Sequence, residues 1–329
     1  EDLIANKKYL FFSHTIKQQP YNRDLLRTIM DKKIQLIDYE VLKDKSGKRL
    51  IGFGRYAGVV GCYNGFRAFG LKHGLYELKA ANECEDRLEV NEELKKVVFP
   101  PNTKIVLTGF GRVGHGAREI LDSLPIMEVN PDQFLDQTFG VAVYTHLDTS
   151  DYFQPADGST FDKKSFYADP SSYISVFEKY AAQSDMYVAC HYWSSASPHI
   201  LTAESLKSNQ RLKVVADISC DIAGPIACTI RPSTIGKPFY GYDTKTGQEC
   251  DYKKEDAIMM MAVDNLPCEL PKDASEDFGN ELINYILPAL FKEDPDDIIG
   301  RGSETNLQGE LTSHFAYLQD FVNSEVKQD

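Results

Sequence analysis

Short runs of apolar residues alternate with polar stretches and with stretches of helical spacing along most of the chain. We predict buried strands at these runs, which lie at residues 9–13, 33–39, 104–108, 140–144, 186–190, 212–219 and 258–263, with a glycine-broken strand at 49–54. Strands that are apolar at nearly every position, rather than at every second one, are typical of parallel sheets covered by helices on both faces. The pattern therefore predicts an α/β fold with parallel sheets.

Apolar residues at helical spacing predict the intervening helices. They lie at residues 22–30, 56–71, 115–121, 273–291 and 311–322. The helix at 56–71 is rich in glycine and alanine, so we expect it to be buried and to link two domains through close backbone contact. Residues 80–96 are predicted to be an exposed connection, and residues 147–172 a long loop without regular structure.

The strand predicted at 104–108 runs directly into Gly109-Phe110-Gly111-Arg112-Val113-Gly114 and then into a helix. The first N–H groups of a helix have no internal partner, and the helix dipole favours negative charge there. Gly109 allows a sharp turn, Gly111 allows the backbone to approach a pyrophosphate, and Gly114 allows the helix to pack on the strand. This context predicts dinucleotide binding, and the alternative is a tight turn that binds nothing.

Composition narrows the class of protein. A chain of 329 residues is long enough for two domains with buried cores. Its net charge of −13 argues against nucleic acid and anionic membranes as partners. No apolar run approaches the ~20 residues of a membrane-spanning helix. Its seven cysteines lack the spacing of a zinc site, so we predict no metal, reduced thiols and a cytoplasmic protein.

Six motifs are distributed over most of the chain. They are Phe11-Phe12-Ser13-His14-Thr15-Ile16-Lys17, residues 53–61, the glycine turn at 109–114, His191-Tyr192-Trp193, residues 216–224 and residues 264–279. In these motifs the chain resembles the saccharopine dehydrogenase family, most of all the lysine–2-oxoglutarate reductase half of the bifunctional animal and plant enzymes. The resemblance implies two Rossmann-like domains, as in the wider alanine dehydrogenase and transhydrogenase group.

The resemblance also implies an activity, namely that of an NAD(P)-dependent oxidoreductase acting on CH–NH bonds. Lysine, 2-oxoglutarate and NAD(P)H would give saccharopine, or the reverse, and these small molecules are the expected partners. Residues 1–53 and 276–329 would form the catalytic and substrate domain, and residues 54–275 the dinucleotide-binding domain. The alternatives are a related amino-acid or opine dehydrogenase with another substrate, and a non-catalytic dinucleotide-binding protein.

Site residues follow from the same resemblance. His14 matches a catalytic acid/base of the family, and the alternative interpretation is a hydrogen-bonded histidine that caps a strand end. Lys17 lies in the same motif, where a functional role and a simple surface charge are equally supported. Imine chemistry needs proton transfers, for which histidine is suited near neutral pH. The implied substrate-binding residues are Gln19, Phe53, Ser219, Cys220 and Asp221, and the implied cofactor-binding residues are Arg49, Gly109, Gly111, Arg112, Val113, Gly114, Asn130, Ile218, Val263, Asp264, Asn265 and Leu266.

The start of the chain suggests that part of this site precedes it. The sequence begins at Glu1 without methionine and soon reaches the strand at 9–13, which would suit the middle of a domain. We therefore expect the N-terminal domain to be truncated in this sequence. The catalytic lysine and a substrate-binding arginine of the family would lie upstream of Glu1.

Three further points stay open at the level of sequence. An acidic residue at the end of the second Rossmann strand binds the ribose 2′-hydroxyl of NAD and repels the 2′-phosphate of NADP. Glu128 is acidic, whereas Asn130, which the resemblance places at the deciding position, is neutral, so NAD and NADP are not separated. Cys220 is either a reactive thiol or a small buried apolar residue. His146 is either a ligand contact or a simple loop histidine.

Overall fold

The computed structural model describes residues 2–324 and divides the chain into two compact units. Unit 1 comprises Glu1–Gly52 and Ser275–Asp329, so both ends of the chain contribute to it. Unit 2 is the continuous segment Phe53–Ala274. Within residues 2–324, no helix is both long enough and apolar enough to cross a membrane.

Regular structure occupies both units. The strands are β1 (Lys8–Phe11), β2 (Gln35–Asp38), β3 (Lys104–Thr108), β4 (Met127–Glu128), β5 (Val143–Leu147), β6 (Phe153–Pro155), β7 (Tyr173–Ser175), β8 (Met186–Ala189), β9 (Val214–Asp217), β10 (Phe239–Asp243), β11 (Gln248–Cys250) and β12 (Ile258–Met261). The α-helices are α1 (Arg23–Asp31), α2 (Gly54–His73), α3 (Arg87–Leu94), α4 (Arg112–Leu121), α5 (Pro131–Asp136), α6 (Thr149–Tyr152), α7 (Lys163–Ala168), α8 (Glu178–Ala181), α9 (Ala203–Ser208), α10 (Pro271–Glu281), α11 (Leu287–Phe291), α12 (Ile298–Gly302) and α13 (Gln319–Asn323). Short 3₁₀-helices lie at Thr15–Lys17, Pro20–Asn22, Ala81–Glu83, Pro170–Ser172, Leu266–Glu269 and Ser313–Leu318, and a π-helical turn at Leu282–Ile286 joins α10 to α11.

An eight-stranded sheet forms the centre of unit 2, in the order β4-β5-β3-β8-β9-β12-β10-β11. Neighbouring strands from β4 to β12 are parallel, whereas β10 and β11 form an antiparallel edge. The predicted α/β fold with a parallel sheet is therefore confirmed. Parallel strands point the same way, so the carboxyl ends of β3, β5, β8, β9 and β12 share one edge, which is where open α/β sheets bind ligands.

The strand order differs from the usual Rossmann order at one point. In the usual order the second strand lies beside the first. Here the third strand of unit 2, β5, lies beside β3, and the short second strand β4 is displaced to the sheet edge. Thr108 pairs with Leu147, and the Gly109 N–H donates to the Leu147 carbonyl at 3.2 Å. The end of β5 therefore borders the glycine turn.

Apolar residues fill both faces of this sheet, which accounts for the continuous apolar runs. Ile105 of β3 belongs to the buried cluster on one face and Val106 to the cluster on the other. In β12, Met259 lies in the first cluster and Met260 in the second. Because alternate side chains point to opposite faces, every position of these strands is buried.

Helix α2 packs on its neighbours through backbone contacts, as its small residues suggested. A Cβ atom on Gly58 would lie 1.9 Å from the Val113 carbonyl oxygen, and one on Gly116 would lie 1.9 Å from the Arg55 carbonyl oxygen. On the side of the sheet, a Cβ on Gly65 would lie 2.9 Å from the Cβ of Ala216. Glycine is therefore required where α2 crosses α4.

The prediction of an exposed connection at residues 80–96 is wrong, because α3 lies within it. Asp86 caps this helix by accepting a 2.9 Å hydrogen bond from the Leu88 N–H. Val90 and Leu94, four residues apart, are buried in the core of unit 2. Only two apolar positions face the core, so the charged residues around them concealed the helical pattern.

The prediction of a structureless loop at residues 147–172 is also wrong, since α6, β6 and α7 lie in this segment. Aromatic side chains hold it together. Phe166 stacks on Phe153 with ring centroids 5.0 Å apart, and it meets Tyr173 edge-on at 5.0 Å. The aromatic residues follow neither a helical nor a strand period, so the sequence pattern did not show them as a core.

Three smaller predictions also differ from the structure. Residues 49–54 form no strand among the described residues, because Arg49 makes only an isolated bridge with Lys43 and α2 begins at Gly54. The strand predicted at 140–144 lies three residues later, as β5. The antiparallel strands β10 and β11 were not predicted, since they are short and partly polar.

Unit 1 contains the parallel pair of β1 and β2. Its core joins both parts of the chain, because Ile37 and Ile51 pack in one buried cluster with Ile286 and Ile299. The helix predicted at 273–291 is present, interrupted by the π-helical turn.

Two carboxyl groups are fully buried in unit 1. Asp38 and Glu304 have no exposed surface. The Ser13 hydroxyl donates to Asp38 and lies 3.2 Å from Glu304 Oε1, and the Thr15 hydroxyl donates to Glu304. Burial, with a smaller effect of the neighbouring Asp38, raises the pKa of Glu304 to about 8. Glu304 therefore keeps its proton at neutral pH, which avoids two buried negative charges.

We predict that Gly58→Ala strongly destabilises unit 2. The added methyl group would meet the Val113 carbonyl at 1.9 Å, and backbone cannot move aside as a side chain can. The expected loss is more than about 3 kcal/mol of unfolding free energy, at the upper end of overpacking. Gly279→Ala in α10 is the matched control, because its Cβ meets nothing within 4 Å; it should be neutral or stabilising by about 0.5–1 kcal/mol. Urea unfolding of both variants checks this, and equal midpoints would contradict it.

We also predict a pH dependence from the buried carboxyl pair. Glu304 has a folded-state pKa of about 8 against an ordinary value of 4.5. Its contribution to stability is therefore fully present below the unfolded pKa and is lost as the pH rises through the folded pKa. Between these values the free energy of unfolding should fall by up to about 1.4 kcal/mol per pH unit.

Glu304→Gln is the variant that tests this dependence. The amide cannot ionise and nearly preserves the shape of the side chain, so stability should become flatter with pH. Urea unfolding at intervals from pH 5 to pH 9 measures the slope. An unchanged slope in Glu304→Gln would assign the dependence to another group.

Candidate functional site

The turn between β3 and α4 needs two of its three glycines for its own geometry. Gly109 has φ 95°, and a Cβ there would lie 2.4 Å from the Cys190 carbonyl oxygen. A Cβ on Gly114 would lie 1.8 Å from the Gly109 carbonyl oxygen, so α4 rests directly on the turn. Gly111 differs, because a Cβ there would meet nothing within 4 Å. Its missing side chain leaves open space, which is what a backbone that approaches a ligand requires.

A cavity of about 450 Å³ opens at this turn within unit 2. Residues 109–113, Asp148, Lys163 and His191, which follows β8, are among the residues that line it. The helix N-terminus at Arg112 adds the partial positive charge of its dipole. Size, open backbone and charge fit the phosphate end of a dinucleotide.

His191 is a deeply buried polar side chain of this cavity, with 5% of its surface exposed. Its Nδ1 lies 3.2 Å from the hydroxyl oxygens of Thr108 and Tyr187. Its Nε2 is buried and has no hydrogen-bond partner among residues 2–324. Burial lowers the pKa of His191 to about 4, so the ring is neutral near pH 7. A buried nitrogen without a protein partner is accounted for if a bound ligand supplies one.

His146 supports the turn. Its Nε2 lies 2.7 Å from the Gly109 carbonyl oxygen, so this nitrogen carries the proton and donates. Its ring stacks on Phe110, with centroids 3.8 Å apart and planes 6° from parallel. Burial lowers the pKa of His146, which keeps it neutral. Rather than a ligand contact, the structure favours His146 as a residue that holds Gly109 and Phe110 in position.

The segment after β9 is organised by one buried carboxylate. Asp217 Oδ1 accepts hydrogen bonds from the Ser219 hydroxyl at 2.6 Å and from the Cys220 N–H at 3.2 Å. Its Oδ2 accepts from the Thr229 hydroxyl at 2.6 Å. Asp221 is half-buried, and burial followed by the Asp217 charge raises its pKa. Ser219, Cys220 and Asp221 are thus held at the carboxyl edge of the sheet.

Cys220 has the features of a packed thiol. Its Sγ lies 3.1 Å from the Ala262 carbonyl oxygen, and its φ is 53°. Burial, followed by the charges of nearby aspartates, raises the pKa of this thiol to about 12. A protonated thiol is a poor nucleophile, so the structure favours the buried apolar interpretation over a reactive one.

The other predicted cofactor contacts of unit 2 fall into two groups. Ile218, Val263 and Leu266 have buried side chains within the core, so a contact with a dinucleotide would come from their backbone. Asp264 and Asn265 are exposed and follow β12 at the same edge of the sheet. Both groups lie beyond the carboxyl ends of strands, as ligand-binding residues of open α/β sheets do.

Asn130 and Glu128 lie farther out, on and after the edge strand β4. Asn130 caps α5, where its side chain accepts a 2.9 Å hydrogen bond from the Gln133 N–H. Glu128 pairs with Arg118 at 2.5 Å. Neither side chain lines the cavity at the glycine turn.

In unit 1, His14 follows β1 in a left-handed backbone conformation with φ 57°. Its Nδ1 lies 2.8 Å from Glu40 Oε2 and 3.0 Å from Lys17 Nζ, and Lys17 also approaches Glu40 at 3.3 Å. A carboxylate accepts and an ammonium donates, so Nδ1 can serve either neighbour according to its protonation. When Nδ1 donates to Glu40, Nε2 is the nitrogen that can take a proton from a ligand.

The remaining predicted residues are less closely grouped. Gln19 precedes a 3₁₀-helix and accepts a hydrogen bond from the Tyr21 hydroxyl. Arg49 donates from Nε to the Ile51 carbonyl at 2.9 Å and lies over the Phe12 ring at 5.6 Å, all in unit 1. Phe53 is partly exposed at the start of α2 in unit 2.

Sequence reasoning missed several polar residues of these two sites. They are Asp38, Glu40, Asp148, Lys163 and Glu304. Asp38 and Glu40 could have been found, because they end a predicted strand that pairs in parallel with the strand before His14. Glu304 could not have been identified from the sequence, because its partners Ser13 and Thr15 lie near the opposite end of the chain. Within the described residues, no group of three or more His, Cys, Asp or Glu side chains is placed to hold a metal ion.

Known proteins resemble the chain both in sequence and in fold. Alpha-aminoadipic semialdehyde synthase of Arabidopsis thaliana is 30% identical over 376 aligned positions, which cover 100% of this chain and 35% of that protein. The mitochondrial protein of that name from Rattus norvegicus is 28% identical, over 99% of this chain and 40% of its own length. Saccharopine dehydrogenase [NAD(+), L-lysine-forming] of Candida glabrata is 24% identical, over 86% of this chain and 68% of its own length. The chain thus spans well under half of the first two relatives, and the predicted resemblance is confirmed.

Solved structures show the same fold. L-alanine dehydrogenase superposes with a TM-score of 0.57 at 16% identity, covering 97% of this chain and 76% of that one. The transhydrogenase from Sinorhizobium meliloti superposes with a TM-score of 0.51 at 12% identity, covering 94% and 81%. Residues 101–299 match the family model described as alanine dehydrogenase/PNT, C-terminal domain. Because this match covers more than half of the 329 residues, the chain belongs to the alanine dehydrogenase/PNT family.

Proposed function

We propose that the chain is the reductase part of an NAD(P)-dependent oxidoreductase that acts on CH–NH bonds. Its reaction would join lysine and 2-oxoglutarate to saccharopine, or reverse that step. The observation that carries this proposal is that the glycine turn, with its open Gly111, lines one cavity together with His191, whose Nε2 is buried without a hydrogen-bond partner among residues 2–324. The names of the relatives, saccharopine dehydrogenase and alpha-aminoadipic semialdehyde synthase, supply the substrate class.

Unit 2 would hold the dinucleotide. Backbone N–H groups at the start of α4 would bind its pyrophosphate, with Gly109, Gly111, Arg112, Val113 and Gly114 forming the turn around it. Neutral His191 would offer Nε2 as a hydrogen-bond partner. NAD or NADP, the cofactor class that the family supports, supplies or accepts the hydride when bound. Further cofactor contacts are proposed for Arg49, Asn130, Ile218, Val263, Asp264, Asn265 and Leu266.

Unit 1 would supply proton transfer through His14. Condensation of an amine with a keto acid needs a proton at the oxygen that leaves as water, and hydrolysis needs the reverse. Glu40 can hold the ring through Nδ1, which leaves Nε2 to exchange that proton with substrate. Lys17 competes for Nδ1 and would favour the opposite tautomer. The two neighbours would thus bias which nitrogen carries the proton.

Substrate contacts are proposed for five residues, which are Gln19, Phe53, Ser219, Cys220 and Asp221. Ser219 would contribute a hydroxyl oriented by Asp217, and Cys220 an apolar surface. The cytoplasm stays our prediction for the compartment, although the rat relative is named mitochondrial.

The central test follows oxidation of NADH and of NADPH by the natural full-length polypeptide with lysine and 2-oxoglutarate. The full length is used because the resemblance implies a catalytic lysine that the matched motifs of this sequence do not include. We predict turnover with lysine, and we predict that His14→Ala lowers kcat by about 100-fold or more while the Kd for the dinucleotide changes by less than about twofold. The reason is that His14 is assigned to proton transfer and not to cofactor binding.

His314→Ala is the matched control, because His314 is exposed and lies outside the proposed site. It should leave both kcat and Kd unchanged. Faster turnover with alanine or another amine than with lysine would favour a related amino-acid dehydrogenase. Folded protein without turnover on any amine and keto acid would contradict the proposal, and an equal loss of cofactor affinity in His14→Ala would make His14 structural.

Gly111→Ala tests the dinucleotide site separately from catalysis. Its Cβ would meet no protein atom within 4 Å, so the fold should tolerate it, yet the methyl group would occupy the space needed by a pyrophosphate. We expect affinity for NADH and NADPH to fall by about tenfold or more, with unchanged thermal unfolding. Gly140→Ala, also in open space but away from the turn, is the control. Unchanged affinity in Gly111→Ala would place the nucleotide elsewhere.

A further inference from the structure

We propose that Asp148, held by Lys163 at the end of β5, selects NAD over NADP by binding the 2′-hydroxyl of the adenosine ribose. This inference rests on the proposed function. It moves the selecting position away from Glu128 and Asn130, where the sequence placed it.

The first step is the strand order. In a Rossmann sheet the ribose-binding carboxylate follows the strand that lies beside the first strand, across from the glycine turn. Here that neighbour of β3 is β5 and not β4. Leu147 ends β5 and accepts the hydrogen bond of the Gly109 N–H. Asp148 is the next residue, so it lies where the residue after the second strand would lie in a usual Rossmann sheet.

The second step is the shared cavity. Asp148 and Lys163 line the same 450 Å³ space as residues 109–113. Lys163 Nζ lies 3.2 Å from each carboxylate oxygen of Asp148. The Thr149 N–H donates to Asp148 Oδ1 at 2.8 Å, which fixes the carboxylate at the start of α6. Both charged side chains are nevertheless partly exposed, at 42% and 54%, so a ligand in the cavity can reach them.

The two positions favoured by the sequence, Glu128 and Asn130, lie farther from the glycine turn. Asn130 caps α5 as Asp148 caps α6, but it follows the edge strand β4, one strand farther from the glycine turn. Glu128 is paired with Arg118 and lies on β4, one strand farther from the glycine turn than Asp148. Neither lines the cavity.

The chemistry gives the direction of the preference. The Asp148 carboxylate accepts hydrogen bonds from Lys163 and from backbone N–H groups of α6, yet it stays partly exposed, so its two oxygens keep capacity to accept a ribose hydroxyl. A 2′-phosphate at that place would bring a second anion against the carboxylate, which costs binding energy. Lys163 offsets part of that repulsion, so Asp148 is the residue whose charge decides the outcome.

The test measures binding alone, by calorimetric titration of the full chain with ADP-ribose and with 2′-phospho-ADP-ribose. The wild-type protein should bind ADP-ribose at least about tenfold more tightly. Asp148→Asn keeps a side chain that caps helices well, so the fold should persist, and the affinity ratio should fall to near one. Glu128→Gln, with the same change of charge on the edge strand, should leave the ratio within about twofold.

The outcomes separate this inference from the proposed function. A ratio that responds to Asp148→Asn and not to Glu128→Gln supports it. A wild-type preference for the 2′-phosphate, an unchanged ratio in Asp148→Asn, or an equal response in Glu128→Gln overturns it while leaving dinucleotide binding intact. Failure of the wild-type protein to bind either nucleotide overturns both.

Discussion

Contact of backbone with backbone, which only glycine permits, determines the layout of unit 2. Gly58 of α2 meets the Val113 carbonyl of α4, and Gly114 of α4 meets the Gly109 carbonyl. These approaches bring the start of α4 against the end of β3, so the N-terminus of the helix borders the cavity. The packing of α2 on α4 therefore positions the phosphate end of the candidate site. Helix α2 contributes to the site in this way, although none of its residues lines the cavity.

Buried polar groups hold the loops that carry the candidate residues. Asp217 fixes the turn at Ser219 and Cys220 through three hydrogen bonds from that turn. In unit 1, the buried pair of Asp38 and Glu304 binds the hydroxyls on either side of His14. Each loop can thus present an exposed functional group in a defined place, because its neighbours are anchored in the interior.

Patterns among residues close together in the sequence predicted part of this arrangement. Contacts between residues far apart in the sequence could not be predicted in this way. The apolar run of β3 and the glycines after it identified the turn, because strand, turn and helix are contiguous. The pairing of β5 with β3 depends on residues far apart, so the sequence placed the ribose position after β4. The three-residue error in β5 also hid Asp148, since a strand ending at residue 144 leaves it inside a loop. Glu304 reaches Ser13 only through the tertiary fold.

The position of β5 has a consequence for the order of assembly during synthesis. The chain makes β3, α4 and β4 before β5 exists, yet within residues 2–324 the pairing partner of β4 is β5. The first βα unit therefore cannot close on itself, and β4 stays unpaired until β5 enters between it and β3. Until then both edges of β3 are unpaired, because its other neighbour β8 is made later still, and exposed strand edges of this kind promote misassembly. In the nascent chain, unit 2 therefore cannot complete its sheet until β5, which also borders the cavity, has been synthesised.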